Sequence, residues 1–206
     1  MITIDAIRLA LKRSAPDPTG FVPTRRQAAV AIILADGDDD LEICFIRRAE
    51  HAGDPWSGQV AFPGGRAHTQ DRSAHEVAER ETWEEIGLSL AADHRIGALP
   101  VREVVRPEAE NNLTLSPFVY YIGANRDAVD VASHAHEVAD VFWVPVSHLC
   151  SRAAATELDW PIGGVSTTFA GIRFRDHVIW GLTLGVLNSF ADILRPHLAE
   201  AADVSA

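Results

Sequence analysis

GGRAHTQDRSAHEVAERETWEEIGL, residues 64–88, is the stretch on which the reading of this chain turns. Its second half predicts a helix over 73–86. Ser73 followed by Glu76 fits a capping box, and Gly87 stands where a glycine stops a helix. Asp71 lies just before the helix, where an N-cap would also sit. At about 100° per residue, Ala74, Val77 and Ala78 fall on one face. Glu81, Glu84 and Glu85 continue that face one to two turns later. The inward stripe therefore changes from small apolar residues to three carboxylates at spacings that bring side chains together. Such carboxylates repel one another and raise their own pKa values unless a cation sits among them. Hard divalent cations with oxygen ligands, Mg²⁺ or Mn²⁺, answer that need. The alternative is a solvated acidic face with helix pairs such as Arg80–Glu84. The preceding Gly64-Gly65 weighs against it, because two glycines permit a tight turn and close backbone approach to a ligand.

The rest of the chain bounds the answer. It has 206 residues, enough for one substantial core. Apolar residues make up 47 % and charged residues 23 %, a globular balance. With 18 basic against 29 acidic residues the net charge is −11, which argues against a nucleic-acid partner, since that surface needs a basic footprint. Cys44 and Cys150 are too few and too far apart for a disulfide framework. They read as two reduced core thiols in a cytoplasmic protein. Residues 1–18 read as an amphipathic segment rather than a secretory leader. The apolar run from Val178 to Leu194 is interrupted by Asn188, Ser189 and Asp192, so it predicts a buried C-terminal helix and not a membrane span.

Outward from the central stretch, the spacing predicts a short helix over 2–13 and a linker through Pro16, Pro18, Gly20 and Pro23. Residues 28–34 form a continuous run expected of a buried strand. The acidic turn 37–40 and residues 41–47 complete a hairpin. A loop over 49–59 leads to a short strand at 60–62. Further strands are expected over 95–105, 113–122 and 138–143, a short helix near 145–151, and a hairpin from 169–174 and 177–179. This mixture lacks regular βαβ alternation and favours an α+β chain with a mixed sheet between helices.

Arg80-Glu81-Thr82-Trp83-Glu84-Glu85-Ile86-Gly87-Leu88 resembles the core of the Nudix hydrolase signature, with Thr82 a weak match at an apolar position. The front departs from the common form. The family places a Glu eight residues before the Arg, where this chain has Arg72; Asp71 is nine before it, so the loop is one residue longer. That longer loop is similar to the family's coenzyme A pyrophosphatase branch. Arg48-Ala49 with Ser57-Gly58-Gln59-Val60-Ala61-Phe62-Pro63-Gly64-Gly65 resembles that branch's upstream motif. Residues 115–119, 137–145 and 179–183 are similar to its later elements. Asp54, however, stands where the motif has a second Arg. The resemblance covers roughly 25–196 and implies an α/β/α sandwich, so 25–200 reads as a single domain, 1–24 as an N-terminal helix and linker, and 201–206 as a flexible tail.

The resemblance implies a pyrophosphohydrolase acting on a nucleoside diphosphate linked to another moiety. Glu81, Glu84, Glu85 and the Gly65 backbone would hold Mg²⁺ or Mn²⁺, which neutralise the diphosphate and activate a water. Arg80 would hold Glu84 in a ligating rotamer, so that Arg80, Glu84 and Glu85 form the catalytic set. Arg48, Gly64, Arg66 and Trp56 are the expected substrate contacts. For Arg66 the competing role is a solvated turn residue, and for Trp56 it is packing beneath its loop. Glu137 is a candidate general base, competing with a plain strand-end charge; Glu108 and Glu110 are comparable. His134 and His136 form an H-x-H pair with no third ligand nearby. CoA or acyl-CoA is the leading substrate, with ADP-ribose, NADH or a nucleoside triphosphate as alternatives. A ligand sensor without catalysis is the reading from another class; retention of all three carboxylates argues against it. The apolar last helix and the tryptophans leave room for a homodimer.

Overall fold

The computed structural model describes residues 2–14, 21–51, 57–105, 112–130, 137–162 and 164–203. Its elements are α1 (Ile4–Ser14), β1 (Gln27–Asp36), β2 (Leu41–Arg48), β3 (Val60–Ala61), β4 (Gly64–Arg66), α2 (Ala74–Ile86), β5 (Arg95–Ala98), β6 (Arg102–Val104), β7 (Leu113–Tyr121), β8 (Val138–Pro145), α3 (Val146–Leu149), β9 (Ala155–Ile162), β10 (Val165–Phe174), β11 (His177–Trp180) and α4 (Gly181–Asp203).

β1 organises the fold. It pairs antiparallel with β2 and β4 and parallel with β7, which makes the main sheet mixed. Its continuous apolar run is explained by burial on both faces. Ala29, Ala31, Ile33 and Ala35 face α2 in one core, while Ala28, Ile32 and Leu34 face α1 and α4 in a second. The result is an α/β/α sandwich. The small residues of β1 on the α2 side let that helix lie close to the sheet.

Several expectations need correction. The stretch read as one strand over 95–105 is two, β5 and β6, both paired with β7. Residues 155–162 form β9, which the sequence reading missed. It joins the expected hairpin as the edge of a second, three-stranded sheet. Its polar alternation, Glu157 and Asp159 against Leu158 and Trp160, is a half-exposed strand pattern. Residues 178–180 belong to β11, and α4 begins only at Gly181, whose φ of +59° makes the corner. The helix then runs past residue 200 to Asp203. The N-terminal helix α1 packs onto the sheet, with Ile7, Ala10 and Leu11 buried in the second core. Cys44 is buried, but Cys150 is exposed and is no core thiol. Among the described residues no helix is long and apolar enough to cross a membrane.

Candidate active site

α2 is fixed at both ends by its own sequence. Ser73, with extended backbone, accepts the Glu76 N–H at 3.3 Å, and Gly87 at φ +67° donates to the Trp83 carbonyl. The reciprocal half of the capping box is shifted: the Glu76 carboxylate accepts from the Arg72 N–H at 2.9 Å, not from Ser73. Ala74, Val77, Ala78 and Ile86 anchor the helix to the sheet. Thr82 occupies an apolar position with its polar group satisfied: its hydroxyl, fully buried, donates to the Ala78 carbonyl at 2.7 Å.

The acidic end of the helix faces β4. Gly64 donates its N–H to Glu85 Oε2 at 2.8 Å. The glycines serve packing as well as access. β4 lies along β1, and a Cβ on Gly64, whose φ is +149°, would overlap the Ala29 carbonyl and Val30. A Cβ on Gly65 would overlap the Glu81 carboxylate. The close approach that two glycines permit is thus to β1 and to a carboxylate of α2.

Arg80 is the hub. Its Nε and Nη2 donate to the two Asp71 oxygens, each at 3.0 Å. Nη2 also donates to the Arg66 carbonyl at 3.1 Å. Nη1 donates to Glu81 Oε1 at 3.0 Å and Glu84 Oε2 at 2.8 Å. Asp71 is therefore not the N-cap of α2. It is buried, and it also accepts the His68 N–H at 2.7 Å, closing the loop ahead of the helix. The sequence reading left it out of the site. The signal was available in the sequence: Asp71 is the acid next to the position, eight before Arg80, where the resembled signature carries a Glu.

The three glutamates do not surround one point. Glu85 is turned inward and buried, Glu81 is partly buried, and Glu84 is exposed and turned to Arg80. Among the described residues no three His, Cys, Asp or Glu side chains form a ready metal cage. Burial pushes the Glu85 carboxyl up to about 8; the Gly64 N–H and the Arg48 charge oppose this, while the Glu81 and Glu137 charges add to it. Burial also holds Glu81 above the usual carboxylate range, partly offset by Arg80. For Asp71 burial acts upward, but the Arg80 and His68 hydrogen bonds and the Arg80 charge outweigh it and hold the carboxyl low.

Arg48 and Glu137 meet the site from the sheet. The pairing of β2 with β8 shifts register between Arg47 and Arg48, an irregularity of the kind that re-aims side chains. Ala49 donates its N–H to the Glu137 carbonyl at 2.9 Å, which holds the two strand ends together beside Glu85. Arg66 has an exposed side chain and contributes its carbonyl to the Arg80 hub. Asp54, Trp56, Glu108, Glu110, His134 and His136 lie outside the described residues.

A family model described as the NUDIX domain matches residues 25–163. A Yersinia enterocolitica protein named "Uncharacterized Nudix hydrolase NudL" is 30 % identical over 176 residues, spanning 85 % of each chain. A Yersinia pestis protein of the same name is 29 % identical over 171 residues, spanning 83 % of this chain and 81 % of its own. Among solved structures, a MutT/nudix family protein from Enterococcus faecalis superposes with a TM-score of 0.50 at 14 % identity. That likeness covers 86 % of this chain and 67 % of the other, and it speaks to the fold alone.

Proposed function

We propose, for a chain that belongs to the Nudix hydrolase family, hydrolysis of the diphosphate in a nucleoside diphosphate linked to another moiety, with CoA or acyl-CoA as substrate and 3′,5′-ADP and 4′-phosphopantetheine as products. The chain is a hydrolase of pyrophosphatase type, and hydrolases of this family generally use divalent cations. The observation that carries the reading is the helix end itself: Glu81 and Glu85 packed against Gly65 and Gly64, with Glu81 and Glu84 tied through Arg80.

These residues fit Mg²⁺ or Mn²⁺. The donors are all oxygen, and two of them are desolvated carboxylates held above their usual pKa range. Mg²⁺ is commonly bound by one or two carboxylates completed by substrate phosphates, not by a closed protein cage. An open set, with Glu85 inward and Glu84 outward, suits that habit. Glu81, Glu84, Glu85 and the Gly65 backbone would hold the cations, which when bound supply charge neutralisation and an activated water. Arg48 would draw the diphosphate toward Glu85, and Arg66 would contact it from the loop. Glu137, beside Arg48, would take the proton of the attacking water. In-line positioning is the main demand on the protein in such chemistry.

The longer loop before α2 and the motif over 57–65 favour CoA; Asp54 favours one of the alternatives, ADP-ribose, NADH or a nucleoside triphosphate. A substrate panel with Mg²⁺ and Mn²⁺, read by mass spectrometry, tests the assignment. Release of 3′,5′-ADP from CoA is expected. CoA left intact while ADP-ribose is cleaved would overturn the CoA assignment and leave the chemistry standing.

A further inference from the structure

We infer that the three-stranded sheet carries, on the face turned away from the sandwich, a docking surface for a second copy of this chain.

β9, β10 and β11 pair without a register shift, so alternate residues sort onto two faces. On one face Ile172, Phe174 and Ile179 pack in or against the second core, and His177 stacks on Phe142 at 4.0 Å. That face fixes the small sheet to the sandwich. Leu158, Trp160, Val165, Phe169, Val178 and Trp180 line the other face, and none of the six belongs to either core. The Trp160 and Phe169 rings lie 5.1 and 5.2 Å from the Trp180 ring, so the aromatics form one patch. Val165, near the hairpin turn, is 67 % exposed. Aromatic enrichment with depletion of charge is the composition of an interface core.

The charge of the chain selects the occupant. The patch holds no carboxylate, and its one charged side chain is Arg173 at its end, where Nη2 donates to Thr156 Oγ1 at 3.3 Å. The net charge is −11, so two copies repel one another wherever their carboxylates meet. An apolar patch with a guanidinium at its rim is where an equally acidic chain can approach. A basic partner would instead be drawn to the carboxylates, such as those of the turn at 37–40.

The edge of the sheet is guarded, which leaves the face. β9 is an edge strand. Pro161 has no N–H to offer a neighbouring strand. Glu157 and Asp159 stand on the face away from the patch, and Asp159 accepts the Thr168 hydroxyl at 2.6 Å. Two antiparallel β9 strands centred on Leu158 would set Glu157 of one copy opposite Asp159 of the other, and like charges directly opposite are destabilising. The two patches therefore meet face to face about a twofold axis, sheet on sheet.

Sedimentation of the full chain across the micromolar range is the test. A monomer–dimer equilibrium is expected, and added salt should strengthen it by screening the mutual repulsion. Trp160→Ser removes a ring from the patch and should weaken association about tenfold or more. Val165→Asp places a carboxylate in the patch of each copy and should weaken it likewise. Val165 is exposed, so this variant is read alone if circular dichroism shows that Trp160→Ser does not fold. Glu157→Lys, on the opposite face, should leave the dimer as it is at high salt, where the change in net charge is screened. A monomer at every concentration and salt would overturn the inference, as would parental association in folded Trp160→Ser or in Val165→Asp. A dimer altered by Glu157→Lys at high salt would overturn it too, by marking the edge of β9 as the contact.

Discussion

The Gly64 amide donates to the Glu85 carboxylate at 2.8 Å, a bond that ties β4 to the acidic end of α2. It sets Glu85 against the sheet, where burial raises its pKa to about 8. The sign of the linked stability effect follows. The folded chain holds the proton between the ordinary carboxylate value, about 4.3, and about 8, where the unfolded chain has released it. This stabilisation is whole below the lower value and lost as pH rises through the upper one. Thermal unfolding in excess chelator should show declining stability from pH 5 to 9, and Glu85→Gln should flatten the decline. An unchanged slope in that variant would assign the pH dependence elsewhere.

Gly65→Ala places a methyl group into the Glu81 carboxylate. The side chain must move, and Glu81 then leaves Arg80 Nη1. Displacement of one ligating carboxylate should cost about tenfold or more in kcat, while circular dichroism remains that of the parent. Gly64→Ala acts differently. It drives a methyl group into the β1 backbone at a φ of +149°, and the expected result is lost stability of about 1–3 kcal/mol by chemical denaturation.

Leu11 is 1 % exposed and packs in the core shared with α4. Leu11→Ala should destabilise the whole domain by about 2–5 kcal/mol, the usual range for a buried leucine. Urea unfolding is the measurement. A chain in which residues 1–24 were a mere appendage would show no change.

The two thiols should separate cleanly under a thiol reagent. Cys44 is fully buried beneath α2, and burial, with some help from the Glu85 charge, pushes its thiol up. Cys150 is exposed. Labelling with a disulfide reagent should count one thiol in the native chain and a second only in denaturant. Native labelling of both would place Cys44 at the surface.

The sequence by itself determined α2. Ser73, Gly87 and the change from Ala74, Val77 and Ala78 to glutamates are all local, and a helix converts local spacing directly into a face. The same holds for β1, whose unbroken apolar run implies burial on both sides, and for the Arg80–Glu84 contact one turn apart. Tertiary structure alone decided the rest. Nothing in the order of residues says that Gly64 lies against Ala29 and Val30, because that proximity comes from strand pairing across distant segments. Nor does order say that Arg48 and Glu137 lie beside Glu85, because that proximity comes from the pairing of β2 with β8. β9 escaped notice because a half-exposed edge strand carries a weak apolar signal. Asp71 was misread because a capping position and a guanidinium anchor look alike in sequence, and only the path of the loop through space tells one from the other.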